Sequence, residues 1–138
     1  MDDNIAYLLK KEQVEPVARF LRTRLVDLTP GRARVSIKVS EEHLNFNGLV
    51  FGGIITALID EAFAYATNSL IRPTYASQLN VHFLAGASVG DELTAECRVL
   101  KSGRRVGISE MEVTDQAGKI IARATGTTIP VVAGTETT

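Results

Sequence analysis

Apolar residues recur along this chain with two different periods. Ile5, Leu8 and Leu9, then Val14, Val17, Ala18 and Leu21, fall at helical spacing. Proline carries no amide hydrogen, so Pro16 opens a turn and residues 3–21 are predicted to form two short helices. From Arg24 the period becomes two. Ala33, Val35, Ile37 and Val39 alternate with Arg34, Ser36 and Lys38 behind the turn pair Pro30-Gly31, which predicts a hairpin with one buried face. The polar stretch from Ser40 to Gly48 reads as a loop. Gly52-Gly53 then opens a long helix, predicted to run to about Leu70 and to be stopped by Arg72-Pro73.

Beyond Pro73 the alternation is that of strands. Leu79, Val81 and Phe83 alternate with Asn80 and His82, and Leu93, Ala95, Cys97 and Val99 with Thr94, Glu96 and Arg98. Ser102-Gly103 and Ala117-Gly118 are turn signals, and a last strand is predicted from about Lys119 to Ile129. The order is helices, hairpin, long helix, then about four strands. One long helix must cover a roughly six-stranded, mainly antiparallel sheet, which is an α+β class. Residues 1–138 read as a single domain, with a helical segment over 1–20 and a small, polar, frayed tail over 133–138.

Composition narrows the functional classes. The 138 residues suffice for one core and not for two ordinary domains. A net charge of −1 without clustered Lys or Arg points away from nucleic acid as the partner. One cysteine, Cys97, excludes an intrachain disulfide and a multi-cysteine metal site, and fits a reducing, cytoplasmic setting. His43 and His82 are each read as a surface or strand histidine, and two scattered histidines are too few to hold a metal. No secretory leader pattern is seen. The longest apolar stretch, around Gly48 to Ala66, is interrupted by Asp60 and Glu61, so it reads as a buried helix and not as a membrane span.

That helix carries the candidate chemistry. Apolar residues surround it almost completely, yet Asp60 and Glu61 stand in its middle, and a carboxylate among apolar neighbours is costly unless paired or used. Helical spacing places Gly53, Thr56, Ala57, Asp60, Ala64 and Thr67 on one side, where small residues leave room for a ligand, the sheet or another subunit's helix. Gly52 and Gly53 leave backbone N–H groups open at the positive end of the helix, where an anion or a polarised carbonyl can be held. Eight residues separate Gly52 from Asp60, about 12 Å along the axis. One carbonyl cannot touch both. If both act on one substrate, Asp60 comes from a neighbouring subunit and the protein is at least a dimer. The plainer alternative makes Asp60 a structural carboxylate paired at an oligomer contact. Glu61, about 100° around the helix, reads as solvated or salt-bridged.

The run from His43 through Asn45, Gly48, Phe51, Gly52 and Gly53 to Asp60 resembles the signature of the PaaI-like hot-dog thioesterases: Asn, then Gly, then His-Gly-Gly, then Asp on the long helix. The stretch Ala62 to Ser69 is similar to phenylacetate-pathway members, and the resemblance covers roughly residues 20–130. It implies a hot-dog fold and hydrolysis of acyl-coenzyme A thioesters without a further cofactor. It implies that Asp60 is the general base or nucleophile, that the Gly52 N–H polarises the carbonyl, and that Asn45 positions the water or the carboxylate. It also implies that Ser77 lies near the helper hydroxyl. Gly53 and Phe51 would border the substrate, Arg104 and Arg105 could meet the coenzyme A phosphates, and the assembly would be a dimer or a dimer of dimers.

One position departs. Phe51 stands where the family usually has histidine, and a phenyl ring offers neither proton nor hydrogen bond. In the family that histidine mainly supports the oxyanion site, so its loss can cost rate while leaving the Gly52 N–H in place. Two rivals follow. An acyl-CoA sensor on the same fold is favoured by Phe51 and disfavoured by Asn45 and Asp60. A hot-dog dehydratase would want an Asp/His pair, which Phe51 disfavours.

Overall fold

The computed structural model describes residues 3–131, so the tail expected over 133–138 lies outside the described residues. Helices α1 (Asp3–Glu12) and α2 (Pro16–Leu21) form the N-terminal segment. Pro16 takes the first turn of α2, where the missing N–H has no intrahelical partner to lose. Strands β1 (Thr23–Thr29) and β2 (Arg32–Lys38) make the expected hairpin. Gly31 turns it with φ of 77°, a conformation that residues with a Cβ adopt only under strain. The long helix α3 (Gly52–Asn68) follows, then β3 (Thr74–Phe83), β4 (Glu92–Ser102), β5 (Gly107–Thr114) and β6 (Ile120–Pro130).

All pairings are antiparallel, and the strand order is β1-β2-β4-β5-β6-β3. The first strand after the helix pairs with the last strand of the chain and forms one edge of the sheet. The sheet curls around α3, which gives the α+β hot-dog fold. Alternation in β2 and β4 sends Ala33, Val35 and Ile37, and Leu93, Ala95 and Cys97, onto the helix side, where all are buried with Leu58, Ile59, Ala62 and Phe63. Burial pushes the Cys97 thiol up to about 12, so it behaves as a core hydrophobe and not as a nucleophile.

The opposite face of the sheet is charged. Arg34, Glu96, Glu112, Arg123 and His82 stand side by side across five strands. Arg32 pairs with Glu96, and Arg123 with Glu112 at 2.9 Å. Exposed pairs of this kind contribute little stability each. Their register keeps this face wet and the apolar face turned to α3.

Helix α3 ends two residues before the expected Leu70 because its own side chains take over its last carbonyls. Thr67 Oγ1 donates to Phe63 O at 2.7 Å, Asn68 Nδ2 to Ala64 O at 2.9 Å and Ser69 Oγ to Ala66 O at 2.6 Å. Thr67 is thereby buried and leaves the small-residue stripe on which helical spacing had placed it. No helix among the described residues is long and apolar enough to cross a membrane.

Candidate active site

The polar stretch before α3 is more ordered than a loop. A short 3-10 turn, Glu41–His43, leads into a miniature hairpin in which Leu44 bridges Val50. Phe51 N–H donates to His43 O at 2.9 Å, and Asn45 N–H to Leu49 O at 2.7 Å. The Asn45 side chain organises the tip: Oδ1 accepts from Asn47 N–H at 2.9 Å and from Leu49 N–H at 3.2 Å. Gly48 closes the turn with φ of 75°. With its oxygen engaged, Asn45 has only its Nδ2 amide to offer a ligand. His43 is corrected from a surface or strand residue to a buried one in the 3-10 turn. Its Nδ1 accepts from Ser40 N–H at 3.0 Å, and it caps the 3-10 turn.

This hairpin delivers Phe51 as the residue before α3, with ψ of 128° and no side-chain cap. The Phe51 ring folds over Gly53, where an added Cβ would lie 2.4 Å from Cε2. The Phe83 ring, at the end of β3, packs on Gly52, where an added Cβ would lie 3.3 Å from Cζ. Two aromatic rings therefore flank the helix start, and both Phe51 and Phe83 are more than half exposed. The Gly52 N–H makes no hydrogen bond among the described residues. Phe83 was not foreseen, because only the strand pairing brings it to the helix start.

Asp60 lies two turns along α3. The helix is not buried all round: Gly53, Asp60 and Ala64 are exposed, with Thr56 and Ala57 half-buried between them. Asp60 is open to solvent on the single chain, yet the surrounding protein raises its carboxyl above the ordinary carboxylate value. No cation among the described residues offsets that effect of burial. A carboxylate of raised basicity on an open strip of small residues is what a general base requires.

Glu61 is corrected from a solvated or salt-bridged residue to a buried one, 8% exposed and bonded to another carboxyl group. Its side chain points away from the open strip, toward the N-terminal segment, and bonds Glu15. Burial, that hydrogen bond and the charges of Glu15 and Asp60 push it up to about 8. The Tyr65 hydroxyl donates to Glu15 Oε1 at 2.6 Å, and burial together with this bond raises its pKa too. Periodicity gave no sign of this cluster. The one available signal was a second carboxylate in an apolar helix.

A folded-state pKa above the unfolded value means that the folded protein binds the proton more tightly. Glu61 should then contribute full stability below about pH 4.5, its ordinary value, and lose it as pH rises through about 8. Urea unfolding from pH 5 to 9 is expected to show stability declining through that window, with a flatter profile in Glu61→Gln. Equal slopes in both proteins would remove Glu61 as the cause.

The remaining expected residues are dispersed. Ser77 occupies a bulge in β3, its Oγ 2.7 Å from Thr127 Oγ1 and 3.2 Å from Thr127 O, so the hydroxyl is engaged within the sheet. Arg104 and Arg105 are exposed in the β4–β5 turn. That turn lies near Thr67 and Ile71, beyond the last turn of α3, at the end of the helix away from Gly52. In one chain the arginines, Asp60 and Gly52 are thus strung along the helix and do not converge.

Comparison with known proteins places this geometry in a family. Residues 47–122 match the family model described as the thioesterase superfamily. The chain is 33% identical over 105 residues to the acyl-coenzyme A thioesterase PaaI of Escherichia coli, covering 76% of this chain and 75% of that one. The solved structure of the E. coli PaaI protein superposes with a TM-score of 0.87 at 28% identity, over 96% of this chain and 97% of that one. A putative esterase of Archaeoglobus fulgidus is 34% identical over 121 residues, 88% of this chain and 77% of the relative. The protein smu.793 of Streptococcus mutans, solved bound to acetyl CoA, superposes with a TM-score of 0.76 at 26% identity, over 79% and 88% of the two chains. With the helix-borne Asp60, the open Gly52-Gly53 start and the sheet curled around α3, these matches establish that the chain belongs to the PaaI-like hot-dog thioesterases and is a thioester hydrolase.

Proposed function

We propose that this protein hydrolyses acyl-CoA thioesters to the free acid and coenzyme A, at a site completed by a second copy of the chain. The observation that carries the reading is Asp60: an exposed carboxylate of raised basicity, on the open strip of a helix whose first N–H, that of Gly52, makes no hydrogen bond among the described residues. The Gly52 N–H holds the thioester oxygen as negative charge develops on it. Asp60 takes a proton from water as the water oxygen bonds to the carbonyl carbon, or attacks that carbon itself. The C–S bond then breaks and the CoA thiolate leaves and is protonated; where Asp60 has attacked directly, water then hydrolyses the resulting acyl-aspartyl anhydride, releasing the free acid and restoring the Asp60 carboxylate. Asn45 Nδ2 is the group left to orient the water or the carboxylate. Gly53 and Phe51 border the carbonyl, and Ser77 helps from β3. Arg104 and Arg105, unpaired among the described residues, meet the coenzyme A phosphates. No further cofactor enters the reaction.

The roughly 12 Å between Gly52 and Asp60 requires the two-fold partner. Strand β3 supplies the surface for it. Among the described residues this edge strand of ten residues has an unpaired outer side, an arrangement that isolated proteins normally protect. Pairing β3 with its copy brings the two α3 helices together and one Gly52 toward the other Asp60. Val17 and Phe20 of α2 leave a second exposed apolar surface, on which two dimers can join as a tetramer. The single buried thiol fits a cytoplasmic setting.

Phe51 favours a second reading, a protein that binds acyl-CoA without turning it over, because its ring offers no hydrogen bond where the relatives' histidine supports the oxyanion. Thiol release over acyl-CoAs from acetyl to palmitoyl decides between them. Hydrolysis of at least one is expected, with a gain of about tenfold or more in kcat for Phe51→His. Tight binding with no thiol released from any of them would establish the binding reading instead.

A further inference from the structure

Between α1, the α1–α2 connection and α3 lies a cavity of about 400 Å3, within the range of small-molecule sites. It has a place in the fold that ties it to Asp60. Ala64 and Asn68 line it, and they follow Asp60 at four and eight residues, so all three share one stripe of α3. Ala64 is about 6 Å along the helix from Asp60 and carries only a methyl group. A thioester carbonyl at Asp60 can therefore send its acyl chain over Ala64 into the cavity. Leu8, Val14 and Pro16 supply an apolar wall opposite the helix.

The remaining wall is acidic. Glu15 and Tyr65 both line the cavity and are bonded to each other at 2.6 Å, and the buried Glu61 bonds Glu15 from behind. The charged neighbours are Glu12, whose charge acts on Tyr65, and Asp60 on α3. On the α1 side Lys11 lines the cavity, with Nζ 5.7 Å from the Tyr7 ring centroid, and the Arg72 guanidinium lies over the same ring at 3.6 Å. Neither cation forms an ion pair with Glu15 or Glu61 among the described residues.

We propose that this cavity, between the N-terminal helices and the Asp60 stripe of α3, is the acyl site, and that its Glu15–Tyr65–Glu61 wall makes the enzyme select uncharged acyl groups over anionic ones. The inference rests on the acyl-CoA reading and deepens it. An acyl carboxylate would meet Glu15, whose carboxyl already accepts two hydrogen bonds, so it would face like charge in a partly desolvated place. A neutral chain of medium length meets mostly carbon.

The test compares acetyl-, hexanoyl- and succinyl-CoA in the wild type, Ala64→Leu and Glu15→Gln, with Val14→Phe as an obstruction from the opposite wall. Ala64 and Val14 are exposed, so both larger side chains can be accommodated without disturbing the core. Hexanoyl-CoA is expected to exceed succinyl-CoA in kcat/KM by about tenfold or more in the wild type, as removal of an unfavourable polar contact requires. Ala64→Leu and Val14→Phe should lower the hexanoyl-to-acetyl ratio by about tenfold, and Glu15→Gln should lower the hexanoyl-to-succinyl ratio. An unchanged hexanoyl-to-acetyl ratio in both obstructing variants would overturn the site. Equal use of succinyl- and hexanoyl-CoA by the wild type would overturn the selection. Calorimetric affinities for hexanoyl-CoA and free CoA separate this inference from the reading beneath it. Tighter binding of hexanoyl-CoA that Ala64→Leu abolishes, without turnover, would retain the cavity and reject the hydrolase. Equal affinities would reject the cavity even if acetyl-CoA is hydrolysed.

Discussion

Asp60→Asn is expected to lower kcat for acyl-CoA hydrolysis by about 10²–10⁴-fold while leaving KM within a few-fold of its original value. The amide keeps the size of the carboxylate but cannot accept the proton of water or form an anhydride with the acyl group. Asp60 makes no hydrogen bond or ion pair among the described residues that its replacement would leave unsatisfied, so the fold should be retained. This separates the catalytic reading from the structural one. A structural carboxylate would show its loss in unfolding or in sedimentation, and turnover would fall only in proportion. Unchanged turnover by a folded Asp60→Asn protein would refute the assignment.

The same residue tests the shared site. Gly52→Pro removes the N–H at the first position of α3, where proline is compatible with the helix. The preceding Phe51 already has the extended ψ of 128° that a residue before proline takes. The Phe83 ring needs to shift by a few tenths of an ångström. Each variant alone is expected to be nearly inactive. Dissociated, mixed and reassociated, they form hybrid dimers in which one of the two sites combines the unaltered Asp60 of one chain with the unaltered Gly52 of the other. Recovery of roughly a quarter of wild-type activity in an equimolar mixture follows from random pairing of such two-fold assemblies. No recovery despite demonstrated exchange would place both groups in one chain's site.

The largest loss of stability is expected from Phe63→Ala, about 3–5 kcal/mol. Phe63 is 1% exposed and is the bulkiest of the fully buried side chains of α3. Its ring occupies space that the β6 backbone leaves at Gly126, where an added Cβ would lie 2.6 Å from Phe63 Cζ and 3.2 Å from Gln78 O. Ring and glycine form one lock between the helix and the β3–β6 side of the sheet. Gly126→Ala should cost about 1–3 kcal/mol by overpacking. In a Phe63→Leu background the same substitution should cost less, because the colliding ring is gone, so the two effects should be non-additive. Urea midpoints read all three, with an unchanged m value showing that stability has changed and not the unfolding behaviour. Additive effects would mean that the ring and the glycine do not bear on each other. The lock has a functional consequence as well, since the seating of α3 sets where Asp60 stands relative to β3 and to any partner paired there.

Much of this organisation was legible in the residues themselves. The alternation in β2 and β4, the proline-glycine turn and the glycine-opened helix are local patterns, and local sterics and burial decide them. Asp60 stood out for the same reason, as a carboxylate in an otherwise apolar helical stretch. The family motif from Asn45 to Asp60 is also contiguous, so it survived without a structure. Contacts between distant segments did not. Glu61 read as a solvated or salt-bridged neighbour of Asp60 because nothing local marks Glu15, forty-six residues earlier, as its hydrogen-bond partner. His43 read as a surface or strand residue although its partner Ser40 is only three positions away, because no periodicity marks the 3-10 turn that brings the two together.

The residue sequence by itself thus determined the elements and the class of fold and marked Asp60 as the candidate carboxylate, since each depends on neighbours within a few positions. Only the tertiary structure decided that β3 pairs with β6 and is left as an edge, that Phe83 reaches Gly52, that Arg104 and Arg105 lie at the other end of α3, and that Glu15 closes a cavity beside Ala64. The physical reason is that periodicity fixes which side of an element is apolar, whereas strand order and helix seating follow from burying all the apolar sides at once. That global packing determines which distant groups meet around Asp60.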